Sequence, residues 1–262
     1  MPKNSQQDIN RTVESIWRSV FILYSKVSNM SSESVKDFYN GKTILLTGAT
    51  GYIGRLTIAK LMRMGNLKEI LLLSRPKKGK SNGERLDKIL SGFLFQEMEK
   101  FDADFRSKLR IVNGDMELVG LGISCDDRSY IMQNVEVIIH GAATVRFDEI
   151  LTKAITINIR GTRDILDLAI QCSKLQSCVH ISTAYSHCPR LEIEEKFYPP
   201  PIDFRLAIQL LDSDESEIDP LTTKLISPWP NTYTFTKAIS EDMIRQYQDK
   251  LAVAIIRPSI GN

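Results

Sequence analysis

The sequence predicts a doubly wound α/β fold, with a mainly parallel sheet in strand order 3-2-1-4-5-6 and helices on both faces. Three observations predict it. Short apolar or β-branched runs alternate with amphipathic stretches along the chain, which is the pattern of successive βαβ units. The first run, Thr43 to Leu46, leads into glycines at 48, 51 and 54 and then into a helical apolar pattern. A Tyr-x-x-x-Lys pair, Tyr233 and Lys237, follows the fifth run.

The glycine turn carries the most chemistry per residue. The stretch Thr47-Gly48-Ala-Thr50-Gly51-Tyr52-Ile53-Gly54 has the order strand, glycine-rich turn, helix that suits a dinucleotide. Glycines let the backbone approach a pyrophosphate, and the helix N-terminus offers free N–H groups and a positive dipole end. Leu56, Ile58, Ala59, Leu61 and Met62 form the buried face of the helix, which ends at Gly65-Asn66. Glu69 to Ser74 is the second strand. An NAD-selective protein often places an acid there for the ribose 2′-OH. Here Ser74-Arg75-Pro76-Lys77-Lys78 offers cations instead, so Ser74, Arg75 and Lys78 predict a 2′-phosphate and hence NADPH.

Residues 83 to 106 read as one long amphipathic helix, and Leu109 to Asn113 as the third strand. Asp115 and Met116 follow at its end, where Asp115 is placed to accept from an adenine amino group or to cap a turn. Val135 to His140 is the fourth strand, and Gly141, Ala142 and Ala143 are small enough for close cofactor approach. His140 reads as a satisfied core histidine. Ile155 to Cys172 is a helix with Asn158 on its early turns, and Ser177 to Ile181 is the fifth strand. Residues 186 to 230 read as a long irregular segment with helical pieces around Ile202 to Leu211. Asn231 caps the helix of Tyr233 and Lys237. Leu251 to Ile256 is the sixth strand, followed by Arg257, Pro258 and Ser259.

Length and composition bound the rest. The chain has 262 residues, is 42% hydrophobic and 25% charged, and carries a formal charge of +2. That balance gives no argument for nucleic acid. Four dispersed cysteines and three scattered histidines suit reduced intracellular thiols and no metal centre. No run of 18 or more apolar residues is present. Residues 1 to 40 form a separate N-terminal region, an amphipathic helix (Ile9, Val13, Ile16, Trp17, Val20, Leu23, Tyr24, Val27) and a linker. It reads as a helix docked on the domain or on a partner, with peripheral membrane association as the alternative. The domain proper is 41 to 262.

Tyr233 and Lys237 lie one helical turn apart. An ammonium beside a phenol favours phenolate, so the tyrosine becomes a proton donor or acceptor near neutral pH. Thr183, or Ser182 beside it, sits at the end of strand five and is placed to hold a substrate oxygen.

With these strings in hand, the chain resembles the extended short-chain dehydrogenase/reductase superfamily. His180-Ile-Ser-Thr-Ala-Tyr185, Asn231-Thr-Tyr-Thr-Phe-Thr-Lys237, Ile256-Arg-Pro-Ser-Ile260, Leu72-Leu-Ser-Arg75 and Phe93-Leu-Phe95 narrow the resemblance to the alcohol-forming fatty acyl-CoA reductases, especially the insect type. It covers roughly residues 38 to 260. It implies a Rossmann domain that reduces a long-chain fatty acyl-CoA with NADPH, through the aldehyde to the alcohol, with release of CoA. Tyr233 would donate the proton, Lys237 would hold the nicotinamide ribose, and Thr183 would hold the carbonyl oxygen. It also implies a peroxisomal or endoplasmic reticulum membrane location, with homo-oligomerisation open. The family continues past the Arg-Pro-Ser segment, so the sequence reads as a truncated product or fragment. The competing readings are another extended reductase acting on a sterol or sugar nucleotide, and a non-catalytic NADPH-binding protein.

Overall fold

The computed structural model describes residues 35–64, 66–102 and 104–259. The N-terminal amphipathic helix expected before residue 34 and Gly65 at the end of the first long helix lie outside the described residues. Six parallel strands form one sheet in the order β3-β2-β1-β4-β5-β6, as the alternation predicted. They are β1 (Thr43–Thr47), β2 (Glu69–Ser74), β3 (Leu109–Asn113), β4 (Val137–His140), β5 (Ser177–Ile181) and β6 (Val253–Ile256). All of β1 is buried, which explains its unbroken apolar and β-branched run.

Strand alternation sorts the core into two layers. Leu45, Leu71, Val112 and Ile138 enter one cluster, with Ile165, Leu168, Phe235 and Ile239 from the helices. Ile44, Leu46, Ile70, Leu72 and Ile139 enter the other, with Leu56, Ile58, Leu61 and Phe95. Each such aliphatic side chain contributes about 1.5–3 kcal/mol on full burial. Helices therefore cover both faces. The second layer is closed by α1 (Val35–Tyr39), α2 (Tyr52–Met64), α3 (Asn82–Ile89) and α4 (Phe93–Phe101). α5 (Cys125–Asn134) packs on the first.

Two helical expectations are corrected. The stretch 83 to 106 is not one helix. α3 opens on a Ser81–Glu84 capping box and stops at Leu90. Gly92, at φ 109°, then turns the chain before α4 begins. The helix expected from Ile155 begins earlier. α6 (Leu151–Ala154) runs through a π-helical turn (Ile155–Arg160) into α7 (Gly161–Gln171).

Within 186–230 the chain forms α8 (Phe204–Gln209), α9 (Glu215–Ile218) and α10 (Thr222–Ile226), more helix than its prolines and acids suggested. α11 (Thr232–Gln246) starts where expected, with the Asn231 side chain accepting from Thr234 N. Among the described residues no helix is long and apolar enough to cross a membrane.

Candidate active site

The strand order reverses between β1 and β4, and open α/β sheets bind ligands in that crevice, beyond the strand C-termini. Both predicted motifs lie on this edge.

At the β1 end, the glycines have different jobs. Gly48 has φ +77°, and a Cβ there would lie 2.6 Å from the Gly141 carbonyl carbon. A Cβ on Gly54 would lie 2.2 Å from the Gly48 oxygen. Gly48 and Gly54 are thus required by the chain's own packing. Gly51 is exposed, and its Cβ would meet only the Gly48 oxygen, at 3.4 Å. Its open side, beside exposed Thr50 and Tyr52 and half-buried Ile53, is where a pyrophosphate fits at the start of α2. The residues present therefore fit a dinucleotide.

Thr47 is fully buried and does not face that opening. Its hydroxyl accepts from Gly141 N (3.1 Å) and Ala142 N (3.0 Å), and lies 2.7 Å from His140 Nδ1. With both lone pairs engaged, Thr47 must donate to Nδ1. His140 therefore carries its proton on Nε2, 2.9 Å from the Thr162 hydroxyl, which donates to Asn158 O. Burial first, then the nearby Lys237 charge, push the His140 imidazolium down to about 3. His140 is a satisfied core histidine, as its strand-end position suggested.

The loop after β4 joins the two motifs. It begins at Gly141, Ala142 and Ala143, all half-buried, against the glycine turn. It is then pinned by Asn158 in the π-helical turn, whose Oδ1 accepts from Thr144 N (2.9 Å) and whose Nδ2 donates to Thr144 O and Thr236 Oγ1. The Asn158 amide is thus committed to the chain itself, so it positions the loop after β4 instead of facing the opening. Further along, Phe147 stacks on Tyr233, with ring centroids 6.1 Å apart.

Thr183 lies close enough to the Tyr233 phenol to act on its ionisation, so the structure brings this predicted pair together. Burial raises the Tyr233 pKa, and the Thr183 hydroxyl opposes it. The expected lowering by Lys237 is not what this state displays, because the ammonium is directed elsewhere. Lys237 Nζ donates to Ile181 O (2.7 Å) and lies 2.9 Å from His180 Nε2. Burial pushes Lys237 down to about 7, with Glu241 opposing.

Ser182 is corrected from a candidate oxygen holder to a structural donor. Its buried hydroxyl donates to Glu241 Oε1 at 2.6 Å. The same carboxylate accepts from Ser186 Oγ (2.8 Å) and Arg257 Nη2 (2.7 Å), and meets His187 Nε2 at 3.0 Å. Burial alone would raise the Glu241 carboxyl, but hydrogen bonds from His187, Arg257 and Ser182 bring it down to about 2. Arg257 also donates to Glu194 O and Lys196 O, tying the loop after β5 to the end of β6. Glu241 was missed from the sequence. The available signal was its place four residues beyond Lys237 on the same helix face.

The remaining predicted cofactor residues divide. The Asp115 carboxylate accepts from Glu117 N (3.0 Å), so of its two readings the turn cap is realised. Met116 is buried against Gly161, inside the core. The Ser74 carbonyl accepts from Arg85 Nη2 (2.8 Å), and Arg85 also reaches Asn113 Oδ1 (2.6 Å). Arg85, not singled out from sequence, thereby fixes the ends of β2 and β3. The Arg75 side chain is 71% exposed, 3.6 Å from Glu117 Oε1, and Lys78 is exposed. Pro258 O accepts from Ala184 N (3.0 Å), joining the β5 and β6 ends beside exposed Ser259.

Comparison with known proteins places the chain in a family. The family described as male sterility protein, an NAD-binding family, matches residues 46–260. A Drosophila melanogaster protein named fatty acyl-CoA reductase wat is 41% identical over 236 residues, covering 89% of this chain and 46% of its own. Rattus norvegicus fatty acyl-CoA reductase 1 is 42% identical over 229 residues, covering 87% of this chain and 44% of its own. The chain thus spans about half the length of these relatives. Among solved structures, the reductase domain of a Mycobacterium tuberculosis nonribosomal peptide synthetase superposes with a TM-score of 0.59 at 25% identity, covering 91% of this chain and 51% of that one. On the extent of the family match, the chain belongs to the male sterility protein family of NAD-binding domains, alongside the fatty acyl-CoA reductases.

Proposed function

We propose that this chain contributes the reducing centre for conversion of a long-chain fatty acyl-CoA, with NADPH, to the aldehyde and then the primary alcohol, releasing CoA. The observation that carries the reading is the Tyr233–Thr183 hydroxyl pair beside the loop that packs on Gly48. The similarity to fatty acyl-CoA reductases supplies the substrate class.

A nicotinamide cofactor bound at the glycine turn would supply hydride, one for each of the two reductions. Thr183 orients the substrate oxygen and Tyr233 gives that oxygen a proton as negative charge develops on it. In the first reduction that oxygen then returns its proton to Tyr233 as the carbonyl re-forms and the C–S bond breaks, and the departing thiolate takes a proton from solvent to leave as CoA. Lys237 supplies a buried cation beside the reacting groups. Arg75 and Lys78 favour a cofactor with a 2′-phosphate over one without. The same reading carries with it a peroxisomal or endoplasmic reticulum membrane as the place of action, which fluorescence microscopy of a tagged chain tests.

The experiment is NADPH oxidation by the purified chain with palmitoyl-CoA, with products identified by mass spectrometry, beside Tyr233→Phe and Lys237→Ala. Fatty alcohol that falls at least about 100-fold in both variants supports the reading. Tight NADPH binding without oxidation supports a cofactor-binding role for this chain alone. Oxidation with a sterol or sugar nucleotide but not an acyl-CoA overturns the substrate class.

A further inference from the structure

Lys237 is fully enclosed, and its neighbours can be counted by element. β5 presents His180 Nε2 at 2.9 Å and the Ile181 carbonyl at 2.7 Å. β4 presents His140, whose ring centroid lies 5.2 Å from that of His180. α11 itself presents Glu241, whose charge acts on the ammonium. His140 has both nitrogens engaged with Thr47 and Thr162, so it is not available to exchange a proton with Lys237.

His180 differs from His140 in one respect. Its Nδ1 is buried and has no hydrogen-bond partner among the described residues. An ammonium has three N–H donors and no acceptor. While Lys237 is charged, His180 Nε2 must therefore accept, and the ring proton must sit on the orphaned Nδ1. A buried unsatisfied donor is a standing cost. A residue with only an apolar side chain at this β5 position would avoid it. The cost is matched by a specific return: two of the three Lys237 donors are fixed in direction, and one is left for a ligand.

We propose that His180 is a positioning residue for Lys237, a neutral, Nδ1-protonated imidazole whose Nε2 holds the ammonium in line with the Ile181 carbonyl. The inference rests on Lys237 being the working cation of the proposed reductase site, but the first arm of its test needs neither cofactor nor substrate. Burial disfavours charge on both partners, and it holds the His180 imidazolium well below its ordinary range. Lys237 is the group of the pair that titrates near neutrality. An acceptor at position 180 supports the charged amine. Its loss shifts amine deprotonation to lower pH.

The chain has three histidines, so imidazole 15N NMR is tractable, with His140→Gln and His187→Gln used for assignment. In the cofactor-free protein His180 is expected to show an unprotonated Nε2 and a protonated Nδ1. The Nε2 shift should move with a midpoint near pH 7, and that movement should vanish in Lys237→Met. An Nε2-protonated His180, or a titration unchanged in Lys237→Met, overturns the proposal. His180→Gln retains an acceptor and His180→Leu does not. The pH profile of NADPH binding should follow wild type in the first and move to lower pH in the second. Equal profiles in the two variants, both folded by circular dichroism, also overturn it.

Discussion

Around Gly48 the chain touches itself backbone to backbone, whereas around Tyr233 and Lys237 it is held by buried polar side chains from distant segments. The glycine turn needs no charge to keep its shape. Thr47 locks Gly141 and Ala142 through hydrogen bonds, and Gly48 closes on Gly141 for want of a Cβ. The Tyr–Lys centre is organised by Glu241, which gathers Ser182, Ser186, His187 and Arg257 into one buried network. The first construction fails when an atom is added and the second when a charge is removed.

Removing the charge should give the largest effect. Glu241→Ala leaves Arg257, only 16% exposed, without its carboxylate, and strands the two serine hydroxyls. A loss of about 3–5 kcal/mol is expected in urea unfolding. A loss below about 1 kcal/mol would break the comparison, because the centre would then not depend on the network. The network also predicts a pH dependence. A carboxyl held at about 2 in the folded chain, against an ordinary 4.5, stabilises the fold fully above the unfolded value. That contribution, about 3 kcal/mol, is lost as pH falls from 4.5 towards 2. Glu241→Gln should flatten the stability curve in that window.

Adding an atom should come next. Gly48→Ala combines a positive φ with a 2.6 Å backbone contact, so about 2–4 kcal/mol of destabilisation is expected. Gly51→Ala meets nothing closer than 3.4 Å and should unfold like wild type. Its dinucleotide affinity should nevertheless fall about tenfold or more, read by fluorescence titration, because the methyl enters the space a pyrophosphate needs. Equal stability losses in the two variants would show that Gly51 serves packing, not binding.

The contrast between the two constructions also explains what could be read in advance. The glycine turn is contiguous, and its physics is local, so the strand, turn, helix order from Thr43 to Met64 and the strand order of the sheet followed from pattern alone. The Tyr233–Thr183 pair was legible because strand five must end where ligands bind. The Ser182–Glu241 pairing was not, since it spans 59 positions; the helical spacing of Glu241 from Lys237 gives its face but not its partners. Asn158 was noticed for its place on an early helical turn, but the π-helical turn that aims its amide at Thr144 has no sequence signature. The break at Gly92 was masked by apolar residues continuing at helical spacing on both sides of it.

Ser182 and Thr183 adjoin each other in sequence and separate the two roles at a smaller scale. Ser182→Ala removes one donor to Glu241 and should cost about 1–2 kcal/mol of stability. It leaves Thr183 on Tyr233, so turnover in the palmitoyl-CoA assay should stay within about threefold of wild type. Thr183→Ala should reverse the pattern, with little change in stability and a fall in turnover of about 100-fold. Equal kinetic losses would return Ser182 to the reacting groups.

The smallest structural effect is expected at the basic edge, which belongs to neither construction. Arg75 is 71% exposed and only loosely paired with Glu117. Its contribution to stability should stay within about 0.5 kcal/mol. Any role it has must therefore appear in binding. A guanidinium facing a 2′-phosphate makes charge-assisted hydrogen bonds worth about 1.5–3 kcal/mol. Arg75→Ala should accordingly weaken NADPH binding by about tenfold or more while leaving NADH binding unchanged. Raised salt should shrink the difference between wild type and variant, because an exposed pair is screened. Equal weakening of both nucleotides would assign Arg75 to the pyrophosphate or adenosine they share. No change in either would make the edge a solvated loop, and the choice of cofactor would then rest on groups at the ends of β2 and β3 that Arg85 holds in place.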